Sequence, residues 1–197
     1  MGRLVLGIVV GLVLAPCIVL GWFKWGNPPV AVADHPLPFE RNIVSIPMHA
    51  RIDSQMINTP PIQPTADNFI AGAHIYQEQC AACHGFHGKP SDFGSHMYPD
   101  APPLWREHHN RSGEAVVGVS DDPPGETYWK IANGIRLTGM PSYDKILNST
   151  QMWQVALLLA NADKPLPPEA VALVSGQTSA PAQMPEAQTP TKPGKKM

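Results

Sequence analysis

The chain has little charge and few cysteines for its length. Lysine, arginine, aspartate and glutamate make up only 15% of its 197 residues, and the formal net charge is −2. Globular proteins typically carry about 25% charged residues, and this balance excludes a basic nucleic-acid-binding protein and an acidic disordered chain. Three cysteines are too few for a disulfide scaffold. The length is typical of one domain with additional segments.

One long apolar run opens the sequence. Twenty residues from Leu4 to Phe23 carry no charge, and single basic residues flank them. At about 1.5 Å per residue this run covers about 30 Å, the hydrocarbon thickness of a bilayer. We therefore predict that residues 1–25 form an uncleaved transmembrane anchor. Two alternatives stay open, a signal peptide cleaved after residues 31–33 and lipidation at Cys17, and each of the three exports the rest of the chain.

Proline divides the remaining sequence into segments. Eight prolines fall between residues 26 and 65, a density that predicts an extended linker without long helices; within it, residues 41–48 form either a short strand or a surface segment. Residues 66–162 have helical periodicity and form the predicted folded domain. Residues 163–197 have the composition of a mostly disordered tail, with one short helix possible at Glu169–Val174.

Three helices are predicted within the folded domain. The first begins with Asp67 as its N-cap, the second begins at Glu126 or Thr127, and the third begins with Asn148 as its N-cap. Gly134 is the stop signal of the second helix, and Gln151 completes a capping box in the third. Residues 85–125, between the first two helices, are rich in Gly, Pro, Asp and His. A loop of that length inside a compact domain is expected to wrap around another group.

Two of the cysteines belong to one short motif. Cys80-Ala81-Ala82-Cys83-His84 is C-x-x-C-H, the attachment signature of c-type haem. Two thiols at this spacing can each add to a vinyl group of the same porphyrin, and the adjoining imidazole then lies beneath the iron. We predict one covalent haem c on Cys80 and Cys83, with His84 as an axial ligand.

Two other interpretations of the cysteine pair are weaker. A redox-active dithiol usually follows a strand in a βαβ unit, and no strand alternation precedes Cys80. A zinc site would use His96, but the next zinc ligand should follow within three to five residues. His108 lies much further along the chain.

A haem iron that carries electrons needs a sixth ligand, and thioether sulfur raises its reduction potential. Of the eight methionines, Met140 lies in Gly139-Met140-Pro141, between the second and third helices. Glycine permits a close backbone approach there and proline stiffens the loop, so Met140 is the predicted axial ligand. Met97 and a histidine are the alternatives. The candidate histidines are otherwise expected to be ordinary residues of solvated loops: His87, His96, His108 and His109.

These motifs together resemble a class I monohaem cytochrome c. The matching positions are Gly72, Tyr76, Cys80-x-x-Cys83-His84-Gly85, Ala101-Pro102-Pro103-Leu104, Gly134-Ile135-Arg136, Gly139-Met140-Pro141-Ser142-Tyr143 and Trp153. More narrowly, the chain is similar to bacterial membrane-anchored cytochromes whose domain is like that of cbb3-oxidase cytochrome subunits. The resemblance covers roughly residues 66–162. It implies an all-α cytochrome c fold, with three main helices wrapped around one covalent haem, after an N-terminal transmembrane helix.

The resemblance also implies a haem pocket. The carbonyl of Pro102, or alternatively Pro103, would accept the proton of the axial histidine and so fix its ring. Leu104 would form a wall of the pocket, and Tyr143 would reach a haem propionate.

A helix crossing is implied as well. Gly72 and Tyr76 would pack the first helix against the last, with Trp153 as the aromatic partner. The long stretch at residues 85–125 departs from the family pattern, so an insertion there would change which haem edge is exposed.

With both axial positions filled, the iron exchanges one electron but does not readily bind a substrate. The chain is therefore expected to be a non-enzymatic electron carrier of a respiratory chain, in the bacterial inner membrane with its haem domain in the periplasm. Its expected partners are a dehydrogenase as donor and an oxidase or another cytochrome as acceptor. The alternatives are a haem subunit of a larger oxidoreductase complex and, more remotely, a haem-based ligand sensor or enzyme.

Overall fold

The computed structural model describes residues 1–110 and 112–177. Over those residues the elements are α1 (Gly2–Trp25), α2 (Glu40–Gln55), α3 (Ala66–Ile75), a π-helical turn (Tyr76–Cys80), α4 (Ala81–His84), α5 (Asp92–Ser95), β1 (Glu107–His109), β2 (Ala115–Val117), α6 (Pro124–Asn133), α7 (Ser149–Leu159) and α8 (Pro168–Val174). The chain divides into a first unit, Met1–Arg51, and a second that begins at Ile52.

The apolar run forms one continuous helix, α1. It has 24 residues, includes Pro16 and buries none of its side chains. Its mean hydropathy reaches 2.8 over 18 residues, so it is long and apolar enough to cross a membrane. A signal sequence near the N-terminus passes the same test, so length and composition alone make α1 a candidate membrane anchor.

The prediction that residues 26–65 contain no long helix was wrong. Helix α2 spans 16 of them with Pro47 inside it. The prolines cluster on either side of this helix, and a single proline removes one backbone hydrogen bond without ending it here. Ile52, near the end of α2, is only 1% exposed. Ordered packing in the second unit thus begins well before residue 66.

Helix α3 starts close to the predicted position but with a different cap. The Thr65 hydroxyl accepts a hydrogen bond from the backbone N–H of Asn68, whereas Asp67 lies in the first turn. A carboxylate there is favoured by the positive end of the helix dipole, so Asp67 contributes without being the capping residue.

The other two predicted helices are confirmed, with one shifted boundary. Helix α6 begins two residues early because Pro124 occupies its first turn, where a missing N–H costs nothing. It ends at Gly134, which has a φ of 66°. Helix α7 has the predicted capping box, in which Asn148 and Gln151 bond reciprocally.

Helices α3 and α7 cross at Gly72. A side-chain carbon on Gly72 would lie 2.4 Å from the carbonyl oxygen of Gln154, so only glycine allows this approach. Trp153 is 1% exposed at the same crossing. Its ring stacks on Tyr128 at 4.3 Å, and Tyr128 is its aromatic neighbour in place of the expected Tyr76, because α6 brings that ring onto α7.

The long stretch between α4 and α6 contains the short helix α5 and a hairpin. Strands β1 and β2 pair antiparallel, with His108 opposite Val116. The expected all-helical fold therefore acquires a small two-stranded sheet.

Helix α8 confirms the short helix predicted near the end of the chain. It does not behave as part of a tail, because Ala170, Leu173 and Val174 are all at most 2% exposed and join the main core. The Val174 carbonyl accepts a hydrogen bond from the His87 backbone N–H at 2.8 Å. The predicted disorder of residues 178–197 lies outside the described residues.

Candidate functional site

The C-x-x-C-H motif occupies a short, irregular turn of helix. The π-helical turn ends at Cys80, and α4 carries Cys83 and His84. Single π-turns of this kind are often found at functional sites. Both cysteines are free thiols. Burial, and then the neighbouring Cys83, raises the pKa of Cys80 to about 12, so this thiol is protonated at neutral pH.

Two tyrosine hydroxyls fix the backbone on either side of this turn. Tyr76 Oη donates to the Gly85 carbonyl at 2.6 Å, and Tyr143 Oη donates to the Gln79 carbonyl at 2.8 Å. Burial raises the pKa of both tyrosines. The Tyr143 hydroxyl thus donates to the backbone beside Cys80; the contact with a haem propionate that the family resemblance implies stays a prediction.

Helix α5 supports the same turn from outside and was missed in the sequence. Ser91 caps α5 by accepting from the Gly94 N–H and donates its own proton to the Ala82 carbonyl. Gly94 lies so close to the Cys83 carbonyl that a side-chain carbon would come within 2.0 Å of that oxygen. Serine is a preferred N-cap residue, but nothing in the sequence indicates what α5 packs against.

One ring nitrogen of His84 is already hydrogen-bonded within the protein. Its Nδ1 lies 2.8 Å from the carbonyl oxygen of Pro102. Because a carbonyl can only accept, Nδ1 carries the proton and Nε2 keeps its lone pair. Burial lowers the pKa of His84, against the opposing effect of the Pro102 bond, so the ring is neutral at pH 7 and able to bind a metal.

Leu104 and Trp105 lie just beyond Pro102 in the core. They are 9% and 5% exposed. The Trp105 ring meets Tyr76 edge-on at 5.6 Å, and its indole N–H has no acceptor among the residues that the structure describes. This packing holds the segment that carries the Pro102 carbonyl.

Met140 ends a short loop, residues 135–140, that is closed by its own hydrogen bonds and is called the Met140 loop below. Its backbone N–H donates to Thr138 Oγ1 at 3.1 Å, and its carbonyl accepts from the Ile135 N–H at 3.2 Å. The Thr138 hydroxyl donates in turn to the Ile135 carbonyl. The Met140 side chain is partly buried and packs against the main core.

Met97, the alternative methionine, belongs to the same neighbourhood. Its sulfur would be 3.0 Å from a side-chain carbon placed on Gly139, the residue before Met140. The sequence offered no signal for this contact, since 42 residues separate the two positions and no pattern links them.

The candidate histidines beyond the motif are all exposed, as expected: His87, His96, His108 and His109. His108 and His109 lie in β1 instead of a loop. In residues 1–110 and 112–177, no group of three or more His, Cys, Asp or Glu side chains is arranged to hold a metal ion. The weaker zinc interpretation therefore gains nothing from the structure.

The donor set of this region fits a covalent haem c. Two free thiols one helical turn apart can attach a porphyrin, and the Nε2 of a neutral His84 can bind its iron. A thioether is available on the Met140 loop.

Comparison with known proteins supports this assignment. Residues 69–163 match the family model described as Cytochrome c. No curated protein matches the chain. Among solved structures, a chain of the reducing HAO-like protein complex of Kuenenia stuttgartiensis is similar to 72% of this chain at 20% identity, with a TM-score of 0.35. This chain spans about half of that one, 53%, and the fold assignment rests on the family model.

Proposed function

We propose that this chain, whose residues 69–163 form a cytochrome c domain, carries single electrons through one covalent haem c with His84 and Met140 as axial ligands. When bound, the haem supplies an iron centre that changes oxidation state by one electron. The observation that supports the proposal best is the His84–Pro102 hydrogen bond beside two free thiols.

The proximal side is prepared for coordination by the chain itself. The thiols of Cys80 and Cys83 hold the porphyrin, and Pro102 fixes the tautomer and the direction of the His84 ring. A backbone carbonyl that accepts from Nδ1 also makes Nε2 a stronger ligand. A neutral, oriented imidazole needs no rearrangement when the iron changes charge.

The second ligand to the iron would come from the Met140 loop. A thioether ligand and a buried iron both favour the reduced state and raise the reduction potential. Because both axial positions are then filled by protein, no position is left for a substrate or for oxygen. This set of ligands supports an electron carrier over an enzyme or a ligand sensor.

We further propose that α1 holds the haem domain on the periplasmic face of a bacterial inner membrane. There it would pass electrons between a dehydrogenase and an oxidase or another cytochrome of a respiratory chain. A haem subunit of a larger oxidoreductase complex remains the second candidate, because the same ligands serve both roles. Washing the membranes with alkaline carbonate tests the anchor, since a chain without α1 should be released and the full chain retained.

Replacing Met140 tests the ligand assignment. In Met140→Ala the reduction potential should fall by more than about 59 mV, a tenfold change for a one-electron couple, because the thioether that favours the reduced iron is lost. The ferrous protein should also bind carbon monoxide much faster than the wild type, because no thioether has to leave the iron first. Redox titration followed by absorption spectroscopy measures both effects.

Met56→Ala is the matched control, because it removes another partly buried methionine from the same unit. Its potential and carbon monoxide binding should equal those of the wild type. An unchanged potential and spectrum in Met140→Ala would eliminate Met140 as the ligand.

A further inference from the structure

A second methionine links the two segments that carry the candidate iron ligands. Met97 lies three residues beyond Gly94, and Gly94 is packed against the Cys83 carbonyl of the haem-attachment motif. The Met97 side chain reaches the other way and lies on Gly139, directly before Met140. One short stretch of chain therefore contacts both the Met140 loop and the turn that carries the haem-attachment motif, residues 76–84, which we call the attachment turn.

The backbone around Met97 is closed into a fixed turn. The Met97 N–H donates to the Gly94 carbonyl at 3.3 Å, and the Ala101 N–H donates to the same carbonyl at 3.0 Å. Ser91 secures the start of this turn through its two hydrogen bonds. These hydrogen bonds hold the backbone of Met97 in place.

The contact with Gly139 involves most of the Met97 side chain. A side-chain carbon on Gly139 would lie 3.0 Å from Sδ, 3.3 Å from Cε and 3.9 Å from Cγ of Met97. The thioether therefore occupies the space that a larger residue at position 139 would need. Methionine suits such a place because its flexible side chain fills irregular gaps.

On the side before Met140, the hydrogen bonds of the Met140 loop are internal and connect residues 135–140 to one another. Beyond Met140, the Tyr143 hydroxyl donates to the Gln79 carbonyl within the attachment turn. Packing by Met97 restrains the loop on the other side of Met140.

We propose that Met97 is a positioning residue that holds the Met140 loop closed over the iron. The inference rests on the proposed function, since it takes Met140 as the axial ligand. Met97 acts through Gly139 and does not itself bind the iron. It limits how often Met140 leaves, and so how readily an outside ligand enters.

The test is the rate at which carbon monoxide binds to the ferrous holoprotein, together with the absorption band of the iron–thioether bond. Met97→Ala should keep the band and accelerate carbon monoxide binding about tenfold, because shortening a packed methionine leaves a gap beside the loop. Met97→Leu, which keeps most of the volume, should behave like the wild type. Met56→Ala is again the matched control and should leave the rate unchanged.

A double-variant cycle identifies Gly139 as the point of contact. Gly139→Ala alone places a methyl group against the Met97 sulfur and should also accelerate binding. In Met97→Ala/Gly139→Ala the new methyl group occupies the vacated space, so the double variant should bind carbon monoxide more slowly than either single variant. Additive effects, or Met97→Leu as fast as Met97→Ala, would overturn the proposal.

Failure of this inference is distinguishable from failure of the proposed function. If wild-type protein lacks the thioether band and binds carbon monoxide freely, the His84/Met140 assignment is wrong. If the wild type is closed and Met97→Ala binds carbon monoxide no faster than Met56→Ala, only the role of Met97 is wrong. If Met97→Ala loses the band while Met140→Ala keeps it, Met97 is the ligand and both are overturned.

Discussion

The attachment turn and the Met140 loop hold their candidate ligands in different ways. Around the turn, hydrogen bonds arrive from Pro102 and Tyr143, which lie further along the chain, and from Tyr76 at the start of the turn itself. In the Met140 loop the bonds run between residues at most five positions apart. The turn is therefore held by residues from several parts of the domain, whereas the loop up to Met140 is held mainly by its own hydrogen bonds and by the packing of Met97. Loss of a ligand is expected to begin on the Met140 side.

The largest expected effect concerns the attachment turn. Cys80→Ala/Cys83→Ala should abolish covalent haem, because no other thiol lies within the motif. Haem staining of the denatured protein measures attachment directly.

Cys17 provides the control for that experiment. It is an exposed cysteine of α1, so Cys17→Ala should retain all covalent haem. Covalent haem in the Cys80→Ala/Cys83→Ala protein would show that these two cysteines are not the attachment site.

Two tyrosine substitutions test whether hydrogen bonds from the rest of the domain stabilise the attachment turn. Tyr76→Phe leaves the buried Gly85 carbonyl without its donor and should lower the free energy of unfolding by about 1–3 kcal/mol. Tyr143→Phe, whose hydroxyl is only partly buried, should cost about 1 kcal/mol. Denaturant unfolding of the detergent-solubilised holoprotein gives these values.

Tyr128 is the matched control for the two tyrosines. Its exposed hydroxyl makes one long contact of 3.3 Å with Ser149, so Tyr128→Phe should change stability by less than about 0.5 kcal/mol. Equal losses in all three variants would mean that the attachment turn has no special support.

The sequence predicted the chemical groups better than their surroundings. The C-x-x-C-H motif and the Asn148 capping box are local patterns whose meaning depends on a few adjacent residues, and the helices α6 and α7 followed from such patterns. The high proline density of residues 26–65 failed to predict α2 because the prolines lie mostly outside it. Only Pro47 falls within the helix.

Contacts between distant residues could not be predicted in the same way. Trp153 stacks on Tyr128, and Tyr143 bonds to Gln79, because the packing of helices decides which ring reaches which partner. The contact of Met97 with Gly139 joins two loops without any shared pattern. The restraint that Met97 places on the Met140 loop depends on how both loops fold.

The smallest expected effect concerns the Met140 loop alone. Thr138→Val removes the hydroxyl that donates to Ile135 and accepts from Met140. It should speed the binding of carbon monoxide several-fold, since one lost hydrogen bond costs about 1 kcal/mol, while global stability changes little. Stopped-flow mixing of the ferrous holoprotein with carbon monoxide measures the rate.

Thr138→Ser retains the hydroxyl and should behave like the wild type. A Thr138→Val protein with an unchanged rate but strongly reduced global stability would contradict the local character of this loop.

In the proposed site, His84 and Met140 close both faces of the iron. The absorption spectrum of the wild-type holoprotein tests this, oxidised for the weak far-red band of an iron–thioether bond and reduced with and without carbon monoxide. We expect the band to be present and the carbon monoxide adduct of the reduced protein to form only slowly, because Met140 must leave the iron first. A missing band together with rapid and complete formation of the adduct would contradict the assignment and would favour a ligand-binding haem protein.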